Sequence, residues 1–251
     1  MAELRVPGRF RGPPGVANGG VASGSLAALL GGVAEVTLRR PVPLDRPLPV
    51  RGDGEGTLVV EDGGVLLAEA RPAKVAVEPP AVPAAVTPQA AQAAAGRSRY
   101  YDDPVFPGCF VCGPARATGD GLRIFPGRVA GRALWAAPWT PEETVGGADG
   151  RVRAEVVWAA LDCPSGIAAA EAADLPAGTA AVLGRMAATV AELPRPCDRC
   201  RVVAWPLAGD GRKLHAGSAL LGPDGAVLAA ARTVWITVAR PAGAASAGAA
   251  S

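Results

Sequence analysis

Val157-Trp158-Ala159-Ala160-Leu161-Asp162-Cys163-Pro164-Ser165-Gly166-Ile167-Ala168-Ala169-Ala170 sets one carboxylate between an apolar run and an alanine-rich run. Pro164 has its φ preset for a first helical turn, where a missing N–H costs nothing. The pattern predicts a helix over 163–173 with Asp162 or Cys163 as its N-cap. An acid placed there meets converging helix N–H groups, which favour its anion by roughly 0.3–1 kcal/mol. Burial against Trp158 and an apolar ligand works the other way and raises a pKa by up to about 3–5 units. Desolvation is the larger effect, so a pocket that closes over Asp162 makes it a base. The plainer role is a helix cap.

On the C-terminal side, strand-like runs follow at 183–192, 201–206, 215–221 and 227–238, and a hairpin is expected from 121–125 and 133–139. The first half has the same order. Asn18 is a good N-cap for a helix that ends at Gly31-Gly32, and strand-like runs follow at 33–40, 48–51, 56–60 and 65–77. Gly19, Gly20, Ala22, Ser23 and Gly24 let that helix lie very close to a flat surface such as a sheet. Asp62-Gly63-Gly64-Val65-Leu66-Leu67-Ala68-Glu69-Ala70-Arg71 is echoed by Asp224-Gly225-Ala226-Val227-Leu228-Ala229-Ala230-Ala231-Arg232, with one gap. A helix followed by an antiparallel meander, met twice, is α+β with an internal duplication. The expected division is a first repeat at 1–78, a Pro/Ala-rich linker at 79–107 with a short helix at 88–95, a second repeat at 108–240 and a disordered tail at 241–251.

Of 251 residues, 49% are hydrophobic and 19% charged, enough apolar material for a sizeable core. The net charge of +2 and two Tyr give no basic–aromatic stripe, so nucleic acid is excluded as a partner. No apolar run has the length of a membrane span, and Met1-Ala2-Glu3-Leu4-Arg5 has no signal-peptide core. A cytoplasmic protein with reduced thiols is the expectation.

Asn18-Gly19-Gly20-Val21-Ala22-Ser23-Gly24-Ser25-Leu26, Val36-Thr37-Leu38-Arg39-Arg40-Pro41 and Trp158-Ala159-Ala160-Leu161-Asp162 resemble three signatures of the type II acyl-CoA thioesterases. Cys109-Phe110-Val111-Cys112-Gly113-Pro114, Gly119-Asp120-Gly121-Leu122-Arg123-Ile124-Phe125 and Leu214-His215-Ala216-Gly217-Ser218-Ala219-Leu220 are similar to an actinobacterial group of thioesterase-like proteins. The resemblance implies a double hotdog fold, two tandem helix-wrapped antiparallel sheets forming a pseudo-dimer. It implies hydrolysis of an acyl-CoA or related thioester in lipid metabolism, with Asp162 as base or nucleophile. The chain departs from the family pattern: Val21 replaces a helix glutamine, and Gly184 and Thr233 fall where a Thr or Ser and a Gln are expected.

Thioester hydrolysis needs oxyanion donors and a carboxylate that attacks or activates water. Backbone N–H groups at Gly19 and Gly20 are the first candidates, with Asn18 beside them as cap or carbonyl contact; those of Cys163 and Ser165 come second. Trp158, Ser165 and Thr233 are the candidate substrate-binding residues. No cofactor is required. Cys109-x-x-Cys112 and Cys197-x-x-Cys200 are two knuckle-like pairs, and four thiolates would close a structural zinc site. Two rival readings stay open: an acyl-CoA or acyl-chain binder without turnover, and a zinc-stapled interaction protein. A homodimer is a further expectation.

Overall fold

The computed structural model describes residues 2–73, 82–83 and 86–240. Among them one antiparallel sheet of eleven strands forms in the order β1-β3-β4-β5-β2-β8-β11-β10-β9-β7-β6. The strands of the first half are β1 (Ala2–Leu4), β2 (Ala34–Leu38), β3 (Leu48–Gly52), β4 (Leu58–Asp62) and β5 (Val65–Pro72). Those of the second are β6 (Gly127–Arg128), β7 (Trp135–Trp139), β8 (Thr179–Val190), β9 (Cys200–Asp210), β10 (Lys213–Leu221) and β11 (Val227–Ala239). Helix α1 (Gly19–Ala28) follows β1, and α4 (Ala154–Ala172) follows β7; α2 (Pro88–Ala95) and α3 (Arg99–Asp102) lie between the halves in sequence.

β1-β3-β4-β5-β2 and β7-β9-β10-β11-β8 are the same order, each with a helix after its first strand. The two echoed turns close the equivalent hairpins β4–β5 and β10–β11, and Gly63, Gly64 and Gly225 take positive φ there. The halves join where β2 pairs antiparallel with β8, Ala34 opposite Ala188 and Thr37 opposite Arg185. One apolar core runs through both halves, with Leu26, Val36, Phe110, Leu161 and Met186 fully buried in it.

Three expectations change. Residues 121–125 form no strand; the hairpin partner of β7 is the short β6, and β9 pairs with its other edge. Residues 88–95 are helical as expected, but Ala91 and Ala94 of α2 are buried in an apolar cluster with Leu134, Val203 and Trp205. That part of the 79–107 segment packs on the second half, and Gly127 allows it: a Cβ there would meet the Ala94 carbonyl at 2.0 Å. The end of the expected 65–77 strand, parts of 79–107, and the tail 241–251 fall wholly or partly outside the described residues.

The third change concerns the opening stretch. The helix begins at Ala154 with Arg153 as N-cap, so Pro164 lies inside it and Asp162 and Cys163 are mid-helix. An internal proline removes one hydrogen bond and crowds the preceding turn, at a cost of about 3 kcal/mol or more. Two hydroxyls serve the carbonyls beside the break. Ser218 Oγ donates to Leu161 O and Ser165 Oγ to Asp162 O, each at 2.7 Å. The apolar run at 156–161 is buried on all sides, between the sheet and α1, so it shows no helical periodicity.

Candidate functional site

Of the α1 glycines, Gly19 faces the sheet, where a Cβ would meet Leu183 of β8 at 2.9 Å, whereas Gly20 and Gly24 face the other helix. A Cβ on Gly20 would meet Ala159 Cα and Asp162 Cβ, both at 2.6 Å, and one on Gly24 would meet Glu155 Cα at 2.7 Å. Two helices can cross this closely only where side chains vanish. The crossing brings the first turn of α1 onto Asp162. Gly20 N–H donates to Asp162 Oδ2 at 2.8 Å, while Oδ1 is buried with no hydrogen-bond partner. Asn18 caps α1 by accepting from Val21 N–H at 3.0 Å.

Asp162 is 1% exposed. Burial raises its pKa to about 7, against the lowering hydrogen bond from Gly20 N–H, with Cys109 adding to the rise and the nearby Asn18 amide opposing it. The helix tip that steadies the acid is thus α1's and not its own. The N–H groups of Cys163 and Ser165 sit in the interior of α4, where they belong to the helical ladder, so they are not free oxyanion donors.

Below Asp162 lies a group of thiols. The Sγ atoms of Cys109, Cys112 and Cys163 all fall within 4.8 Å of one another, and all three residues are buried. Cys197 is exposed and Cys200 is buried in β9 opposite Trp139. The pairing of Cys109 and Cys112 with Cys197 and Cys200 is therefore corrected: the third thiol at this place is Cys163. Proximity was set by the loop 106–124, which Phe110 pins to the core. Phe110 N–H donates to Arg11 O at 2.8 Å, and its ring meets Phe10 edge-on at 4.8 Å.

A cavity of about 260 Å³ opens on the far side of the thiols. Tyr100, Phe106, Ile167 and Trp235 wall it, Cys112 and Cys163 border it, and Arg99, Glu171 and Arg240 bring charge to it. Burial pushes the Tyr100 hydroxyl well above its ordinary pKa, with Cys112 and Cys109 adding to the rise. Burial also raises Glu171, whose Oε2 accepts from Trp135 Nε1 at 2.6 Å. Sequence reasoning missed Tyr100 and Glu171; neither has a local pattern around it, and only the tertiary structure sets α3, α4 and β11 around one cavity.

Neither Asp162, Asn18, Gly19 nor Gly20 borders this cavity, and neither do Trp158, Ser165 or Thr233. Trp158 is buried, with its side chain against Gly24. Ser165 and Thr233 form a buried network instead: Thr233 Oγ1 donates to Ser165 Oγ at 2.9 Å, and Trp235 Nε1 reaches Ser165 Oγ at 3.0 Å. Ser165 and Thr233 thus hold the indole of Trp235, a residue of the cavity wall.

No protein-family model matches the chain, and no curated protein is similar to it in sequence. Solved structures are similar in fold. A protein of Novosphingobium aromaticivorans described as a "putative thioesterase" is 13% identical, with 93% of this chain and 94% of that chain covered and a TM-score of 0.57. A thioesterase of Haemophilus influenzae is 14% identical over 47% of this chain and 80% of that chain, TM-score 0.42. A protein of Streptococcus mutans solved with acetyl CoA bound is 9% identical over 43% of this chain and 84% of that chain, TM-score 0.39. Among the described residues no helix is long and apolar enough to cross a membrane. The likeness to the Novosphingobium protein, nearly end to end, shows a hotdog-like antiparallel sheet.

Proposed function

We propose that the chain is a double hotdog protein that acts on an acyl thioester, with its acyl group in the cavity beside Cys163 and Asp162 as the base. The two matching strand orders support the doubling, and the repeats correspond to 1–78 and 108–240. One observation carries the chemistry: a buried carboxylate with its pKa raised to about 7 sits on the N–H of a helix tip contributed by the other half. Buried acids poised near neutrality are suited to general-base work.

In the described state Asp162 itself occupies Gly20 N–H. Turnover requires the substrate carbonyl to take that donor and the carboxylate to turn toward a water. A charge-assisted hydrogen bond is worth about 1.5–3 kcal/mol net, and an oxyanion-hole donor contributes about 3–4 kcal/mol in the transition state. Displaced Asp162 then removes a proton from water, water attacks the thioester carbonyl, and collapse of the tetrahedral intermediate expels the thiolate.

A second reading has its own support. The Gly20 donor is occupied and the seam between α1 and α4 has no room even for a Cβ, which favours binding of an acyl chain without turnover. Thiol release from a panel of acyl-CoAs, together with calorimetry on the same panel, separates the two. Hydrolysis that Asp162→Asn abolishes supports the first. Binding without release supports the second, and neither binding nor release removes both.

A further inference from the structure

We propose that Cys109, Cys112 and Cys163 together hold one zinc ion through three thiolates, with the fourth position left to a ligand arriving from the cavity. Zinc–sulfur bonds of about 2.3 Å at tetrahedral angles place two sulfurs about 3.8 Å apart. Cys109 Sγ and Cys163 Sγ are 3.7 Å apart, and Cys112 Sγ is within 4.8 Å of both. The spacing and the thiolate donors suit a thiophilic, fourfold coordinated ion such as zinc; hard cations such as Mg²⁺ select oxygen ligands instead.

The surroundings are built for thiolates. The loop from Cys109 to Gly113 closes tightly, with Gly113 N–H donating to Cys109 O at 3.0 Å. A Cβ on Gly113 would lie 2.4 Å from that same oxygen. Asn18 Nδ2 stands 3.8 Å from Cys109 Sγ and 3.6 Å from Cys163 Sγ. A buried cysteine that merely fills space needs no such donors. Donors around coordinating atoms orient them and hold their charge.

The coordination is open on one side. Among the described residues no fourth Cys, His, Asp or Glu joins the group, and Cys112 and Cys163 border the cavity. Three protein ligands with a vacant fourth place is the arrangement of zinc sites that take an exogenous ligand, whereas structural sites are closed. The ligand class that fits is a water or a small thiol. A disulfide would use only two of the three sulfurs and would need them to close to about 2.05 Å.

The test uses the full-length chain, purified reduced, with metal content measured and zinc X-ray absorption recorded. One zinc per chain is expected, with three sulfurs and one lighter atom, and with four sulfurs after a small thiol such as 2-mercaptoethanol is added. Titration of the metal-stripped chain with Co²⁺ should give thiolate charge-transfer bands. Because outer-shell changes alone cost 10–100-fold in metal affinity, Cys163→Ser should weaken Co²⁺ binding by more than about 100-fold. Cys197→Ser and Cys200→Ser should leave it unchanged. Lack of stoichiometric uptake, a four-sulfur shell without added thiol, copper(I) with sulfur ligands only, or an unaffected Cys163→Ser would each overturn the proposal. So would a mass two hydrogens short in the purified chain. The wild-type absorption spectrum decides the matter even if a variant fails to fold, and none of these readouts involves a thioester.

Discussion

Gly20 N–H donates to the Asp162 carboxylate at 2.8 Å across 142 positions of sequence, tying the first helix of one half to the long helix of the other. The bond exists because both Gly20 and Gly24 lack a Cβ where α1 crosses α4. It fixes the acid in a place without solvent, and the consequences can be measured.

Replacing the acid tests both chemistry and stability. Asp162→Asn keeps the shape and an acceptor for Gly20 N–H but removes the proposed base, so thiol release should fall at least about 100-fold. Folded Asp162 titrates at about 7 and the unfolded group at 3.8, so the folded state holds the extra proton between these values. Its contribution to stability is complete below about 4 and is lost as pH rises through about 7. The loss is on the order of 4 kcal/mol. Urea unfolding at several pH values should show wild type falling relative to Asp162→Asn between pH 4 and 8. Parallel profiles would show that the acid is not desolvated.

The helix crossing predicts an asymmetry among glycines. Gly20→Ala forces a methyl group against Ala159 Cα and should cost about 1–3 kcal/mol by overpacking. Nothing lies within 4 Å of a Cβ on Gly31, so its substitution meets only the strain of a positive φ. Thermal melts should place Gly20→Ala clearly below Gly31→Ala, and equal melting temperatures would contradict the close crossing.

Thiol chemistry follows burial. Cys197 is exposed, whereas burial, with Asp198 adding, pushes the Cys200 thiol up to about 12. Iodoacetamide at pH 8 should label Cys197 rapidly and leave Cys200 untouched until the chain unfolds. Mass-mapped peptides give the answer.

The Trp235 indole has two acceptors, Ser165 Oγ at 3.0 Å and Thr233 Oγ1 at 3.1 Å. Either Ser165→Ala or Thr233→Val leaves it one partner. Together they orphan a buried N–H, and an unmet buried donor costs about 1–3 kcal/mol. The double variant should lose more stability than the two single losses added, in a cycle measured by denaturant unfolding.

Much of the architecture was legible in local patterns. Asn18 caps its helix, the paired Asp-Gly turns close equivalent hairpins, and the strands at 33–40, 48–51, 215–221 and 227–238 form within a residue or two of where alternation puts them. Those signals are short-range: a cap, a turn or a period of two acts through neighbouring backbone. The acid was also singled out by its isolation in an apolar run.

What the sequence determined, then, is the α+β class, the repeated order and the isolation of one acid, Asp162, in an apolar run. Only the tertiary structure decided what surrounds that acid. A helix buried on every side loses its periodicity, so Val156–Leu161 gave no helical signature and Pro164 seemed to start a helix that it interrupts. Cysteine spacing suggested partners at 197 and 200, but a loop pinned by Phe110 carries Cys109 and Cys112 to Cys163 instead. Contacts between residues far apart in the chain depend on how elements pack in three dimensions, and spacing along the chain does not encode them.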